Sequence, residues 1–135
     1  MGTFFFELAL TCYFAASIIG LLDLVRGQKN LTNIVVWTTT CGFLLHLCVF
    51  IVRYSTAGHL PLISMHESAS FFAWCIALIY LVLHIRYHLG VLGSFVLPII
   101  FFIMLAAAMA PRQIPPLSPT LQSPWFVVHT TFAFL

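Results

Sequence analysis

Imidazole is the reactive group this sequence offers most freely. Six histidines stand beside three acids and five lysines and arginines. One of them, His129, closes the stretch Leu121-Gln-Ser-Pro-Trp-Phe-Val-Val-His129. That stretch follows a proline-rich run, Pro111-Arg-Gln-Ile-Pro-Pro-Leu-Ser-Pro119, whose partly preset backbone angles exclude a helix. Trp125 sits where the loop meets an apolar run, a favoured place for an amphipathic ring at a membrane surface. His129 comes four residues later, about one helical turn below that surface. An imidazole at that depth is costly without a partner. Two readings stand for it: an interfacial histidine bonded to a neighbouring helix, or a ligand to a bound cofactor.

His46 is the second candidate. It lies inside an apolar run seven residues before Arg53, roughly 10 Å from the end of that run. A neutral imidazole there can ligate haem iron or hydrogen-bond across helices. His84 and His88 are spaced i, i+4, a spacing that can bind metal on one helix face. They flank Arg86, and a solvated, positively charged helix end explains them more simply. His59 and His66 are expected as exposed loop residues. Glu67 heads the next apolar run, in His66-Glu-Ser-Ala-Ser70. The helix dipole favours an acid in a first turn, and Ser68 or Ser70 would cap it. Glu7 and Asp23 lie near the ends of the first apolar run, within reach of water.

These residues need a membrane scaffold. Hydrophobic residues make up 62% of the chain, charged residues 6%, and the mean hydropathy is +1.11. Soluble domains carry about 25% charged residues, so the composition is that of an integral membrane protein. A net charge of +2 implies no nucleic-acid partner. Cys12, Cys41, Cys48 and Cys75 all fall in apolar runs and form no C-x-x-C pair. They read as small apolar residues rather than a thiol-disulfide or zinc site. No C-x-x-C-H motif for covalent haem is present.

The expected architecture is all-α: a polytopic transmembrane helix bundle forming one domain over residues 1–135. Four full spans are predicted at 3–25, 31–52, 69–88 and 89–110, each near the roughly 20 residues a bilayer demands. Pro98 is expected to kink the fourth span. A fifth apolar run, 125–135, is only half a span long, which predicts an N-terminal part of something longer. The start is not a signal peptide, since Glu7 is present and the first cation is Arg26. Arg26, Lys29 and Arg86 fall on one side and Arg53 and Arg112 on the other. That balance puts the N-terminus and the two long loops outside the cytoplasm, so His46 and His129 would share the outer half of the membrane.

Several motifs then resemble a known family. Gly58-His-Leu-Pro61, Met65-His-Glu-Ser68 and Phe71-Phe-Ala-Trp74 look like the extracytoplasmic loop and following helix of the CcsA/ResC-type cytochrome c assembly proteins. Gly93-Ser-Phe-Val-Leu-Pro98 and Leu121 to His129 resemble that family's next segments. His66 stands where an aromatic is commoner. The resemblance implies a haem-handling protein, part of a haem lyase system, that delivers haem b across a membrane for attachment to apocytochrome c. It implies that His129 is an extracytoplasmic axial ligand to haem iron. His46 resembles a transmembrane histidine of the family and is a further haem-binding candidate. Arg112 could pair with a haem propionate. Membrane lipid, apocytochrome c and a ResB/CcsB-type membrane protein are the implied partners. The location would be a bacterial inner membrane, or a thylakoid membrane in a plastid. The family's tryptophan-rich haem-binding loop would lie downstream of Leu135.

Two other readings remain open. One is a cytochrome b-like electron-transfer subunit, which wants histidine pairs on facing helices. The other is a non-catalytic scaffold or regulator that keeps the family's fold.

Overall fold

The computed structural model describes residues 2–27, 29–57 and 64–111, together with 125, 128, 129, 132 and 133. Four helices account for the continuous parts: α1 (Gly2–Arg26), α2 (Lys29–Ala57), α3 (Met65–Tyr87) and α4 (Gly90–Met109). No strand occurs among the described residues. All four helices are long and apolar enough to cross a membrane. Helices suit such a chain because hydrocarbon offers backbone N–H and C=O groups no other partner. The expected all-α transmembrane bundle with four full spans is therefore what forms.

The spatial order is α2–α1–α4–α3, with α1 packed against both α2 and α4, and α3 against α4. Small residues make this possible. Gly20 lets α1 approach the backbone of α4 at Gly93 and Ser94 to about 3.5 Å from where a side chain would begin, and the Ser94 hydroxyl donates to Gly20 O at 2.6 Å. Phe6, Ala9, Tyr13 and Ala16 on α1 meet Leu97, Ile100, Met104 and Ala107 on α4 and Ala73, Ala77 and Tyr80 on α3 in one buried core. Val91, Phe95, Ile99 and Phe102 form the exposed apolar flank of α4, as a lipid-facing surface would.

Local signals fix the helix ends. Gly27 (φ 61) ends α1, its N–H donating to Asp23 O at 2.7 Å, the single-bond left-handed cap that glycine favours. His88 does the same for α3 at φ 54, bonding His84 O at 2.8 Å. His88 is therefore the cap rather than part of the helix, so the i, i+4 spacing with His84 does not put the two on one helix face, and the simpler reading of a helix end is the one that fits. Ser64 caps the start of α3. It replaces the expected Ser68 or Ser70 and moves the helix start from residue 69 to Met65. At the other boundary, α2 runs on past Arg53 to Ala57. Arg53 thus lies on a helix rather than closing one. Pro98 lies inside α4.

Gly93 has the tightest neighbour. A methyl group there would stand 2.6 Å from the Tyr80 hydroxyl and 3.1 Å from its ring carbon. Overpacking of this kind costs about 1–3 kcal/mol. Gly93→Ala is expected to lower the thermal unfolding midpoint in detergent. The same change in a Tyr80→Phe background is expected to lose less, because the closest atom is gone.

Candidate functional site

Polar side chains from α2 and α3 meet the last turn of α4 at the end of the bundle that carries Arg53. The Ser64 hydroxyl accepts the Glu67 N–H at 3.2 Å, and a Glu67 carboxylate oxygen accepts the Ser64 N–H at 3.2 Å. This reciprocal capping box opens α3. The other carboxylate oxygen lies 3.2 Å from Arg53 Nη2 on α2. Glu67 is 1% exposed, so its charge depends on these donors.

His66 is next to it and is buried, contrary to the exposed loop position expected for it. Its Nδ1–H donates to Ala107 O at 2.7 Å. Ala107 belongs to the last turn of α4, where its carbonyl accepts the Ala110 N–H at 3.2 Å in place of an i+4 partner. His66 therefore caps α4 from α3. Phe6 of α1 packs on its ring with centroids 4.9 Å apart.

Further into the bundle, His46 of α2 is fully buried. Its Nε2 shares a 2.7 Å hydrogen bond with Ser70 Oγ of α3. One of the two alternatives for this residue, the cross-helix bond, is thus present. Its ring stacks on Phe50 at 4.9 Å and meets Tyr13 edge-on at 6.0 Å. His46 Nδ1 and the Tyr13 hydroxyl are both buried without a hydrogen-bond partner among the described residues. The backbones of α2 and α3 hardly touch, so side chains fill the space between them. Phe43 stacks on Trp74 at 4.8 Å, and Phe50 meets both Phe71 and Trp74 at 5.8 Å. Ion pair, imidazole bond and aromatic stack together close the ring of helices.

Trp125, Val128, His129 and Phe132 form a second feature. All four are in helical backbone and exposed. Their spacing, i, i+3, i+4 and i+7, places them on one helix face. They line a groove of about 590 Å³. His59, Arg112 and most of the proline-rich loop lie outside the described residues, so the proposed Arg112 contact does too. Among the described residues no group of three metal-ligating side chains occurs.

The chain is 33% identical over 121 residues to cytochrome c biogenesis protein CcsA of Chlamydomonas reinhardtii, covering 83% of this chain and 34% of that one. It is 30% identical over 138 residues to the CcsA of Adiantum capillus-veneris, covering 94% and 42%. With the CcsA of Chlorella vulgaris it shares 38% over 85 residues, covering 60% and 27%. The chain belongs to the CcsA family. It spans about a third of the length of these CcsA relatives. No family model matches it and no solved structure does.

The contacts of Arg53, Ser64, His66 and Ser70 at this site are not among those the sequence analysis expects. The S-x-x-E spacing of Ser64 and Glu67 was a readable signal for the cap. Nothing in sequence spacing pairs Arg53 with Glu67 across the intervening loop.

Arg53→Met is expected to cost about 3 kcal/mol, because it leaves the Glu67 charge buried without its cation. Adding Glu67→Gln, which keeps an oxygen for the Ser64 N–H, is expected to recover part of that loss. Chemical or thermal unfolding of the single and double variants in detergent measures both steps.

Proposed function

We propose that this chain acts in cytochrome c biogenesis by holding haem b as substrate, with His129 as an axial ligand to its iron. The observation that carries the reading is the groove of about 590 Å³ lined by Trp125, Val128, His129 and Phe132. Its size falls in the roughly 300–1,000 Å³ range of cofactor and ligand sites, and among the described residues its lining is apolar apart from one imidazole. An apolar macrocycle with a metal at its centre matches that composition, since histidine nitrogen is a good haem ligand.

The chemistry assigned to the chain is positional. Apocytochrome c attaches to haem when each cysteine S–H adds across a vinyl double bond, forming a thioether. Imidazole at the iron and aromatic rings beside the macrocycle would hold the vinyl edge still while the thiols arrive. Haem reaches this groove by delivery across the membrane, and a ResB/CcsB-type membrane protein and apocytochrome c are the proposed partners. Arg112 is the proposed partner of a propionate. His46 is assigned to the clasp between α2 and α3 rather than to iron, because its Nε2 is engaged by Ser70 and its ring is enclosed by Phe6, Tyr13 and Phe50.

A pyridine haemochrome assay on detergent-purified protein tests this. His129→Ala is expected to lower bound haem at least about tenfold, the scale on which even outer-shell changes weaken metal sites. His46→Ala is expected to keep haem and lose stability. Loss of haem in His46→Ala alone would move the site into the bundle and favour the electron-transfer reading.

A further inference from the structure

Another pocket lies at the end of the bundle opposite Arg53, where α1 gives way to α2 and α4 begins. It holds about 220 Å³, and its lining includes Asp23, Leu24 and Gly27 at the end of α1, Thr32 on α2, and Gly90 and Ser94 on α4. Asp23 is 9% exposed, and no cation pairs with it among the described residues. Its Oδ2 accepts the Thr32 hydroxyl at 2.6 Å. That bond spends the Thr32 proton, and Ser94 spends its own on Gly20 O at 2.6 Å. Both hydroxyls have only lone pairs left to offer. Asp23 O takes the Gly27 N–H at 2.7 Å. The carbonyls after it are left at the negative end of the α1 dipole without helical partners. On the α4 side, Gly90, Gly93 and Ser94 share one helix face. The Tyr80 hydroxyl stands 2.6 Å from where a Gly93 side chain would begin, buried and without a partner among the described residues.

We propose that this pocket binds one monovalent metal cation, sodium or potassium. Asp23 supplies the balancing charge, and Thr32, Ser94 and the last carbonyls of α1 supply neutral oxygens.

The sign, the charge and the size of the ligand each follow from the lining. A buried carboxylate needs a cation or several donors, and here one hydroxyl serves it while the other groups around it are acceptors. The start of α4 would favour an anion, but its Gly90 and Leu92 N–H groups already donate to His88 O and Leu89 O. One carboxylate balances one positive charge. No group of three ligating side chains stands here among the described residues, so the denser set of carboxylates that suits calcium is missing from them. The volume is below the roughly 300–1,000 Å³ of organic ligand sites and admits an ion that keeps part of its water shell. A water of that shell gives the Tyr80 hydroxyl the partner it lacks among the described residues. The ion would join the ends of α1, α2 and α4 far from His129, so the inference does not rest on haem binding.

The full chain in detergent is held at constant ionic strength and constant chloride. Sodium or potassium replaces choline, whose charge is sheathed in methyl groups, with calcium as a divalent comparison. The thermal unfolding midpoint is expected to rise by about 3 °C or more and to level off once the favoured ion is well above about ten times its dissociation constant. The half-saturating concentrations tell sodium from potassium. Asp23→Asn, which keeps an oxygen for the Thr32 hydroxyl, abolishes the rise. Thr32→Val, which keeps the charge and the shape, raises the half-saturating concentration about tenfold. Glu7→Gln, in the first turns of α1, leaves it unchanged. A midpoint that ignores both ions would overturn the proposal. So would a rise that survives in Asp23→Asn, or a response to calcium alone. If Asp23→Asn does not fold, the Thr32→Val titration decides, and an unchanged half-saturation there overturns the proposal.

Discussion

Glu67 is almost wholly removed from water, and a carboxylate in that position must be surrounded by donors. Its two oxygens take the Ser64 N–H and the Arg53 guanidinium. The first bond starts α3 four residues earlier than hydropathy suggests. The second ties α3 to α2, whose backbones otherwise stay apart. Once α3 begins at Met65, His66 reaches the last turn of α4, and Ser70, one turn further on, reaches His46. The order of polar contacts across the bundle thus follows from where one buried charge finds its partners.

The clasp and the groove have different characters. At the clasp, imidazoles are enclosed and engaged by protein atoms, and they work as connectors between helices. At the groove, an imidazole is exposed among apolar side chains that could cover a large flat ligand. Histidine serves both purposes because a neutral ring can donate from one nitrogen and offer a lone pair from the other. What separates the roles is burial and the company each ring keeps, and these properties appear only once the helices are packed.

Much of the architecture was legible in the residues. Four apolar runs of bilayer length could only be helices, and their bounds came within a few residues wherever a glycine or a basic turn marked the end. The misplaced boundaries were the end of α2, which runs on to Ala57, and the start of α3. Met65 and His66 read as loop because hydropathy drops there, while the capping box that carries the helix back through them is a matter of backbone geometry. His84 and His88 looked like a pair by spacing, yet His88 turns into the left-handed region and leaves the helix. Trp125 and His129 stood out as candidates from position alone, four residues apart where a proline-rich run meets an apolar one. Arg53 and Ser70 were not, because their partners lie on other helices and no local period links them.

The central claim is that the exposed imidazole of His129 binds iron and the enclosed imidazole of His46 binds helices. Free imidazole added to glycine variants tests it most directly. In His129→Gly, which leaves an open place on an exposed face, added imidazole is expected to restore the haem absorption spectrum. His46→Gly is expected to retain haem without it. If His129→Gly keeps haem unaided while His46→Gly loses it and regains it with imidazole, the two roles are reversed and the account is wrong.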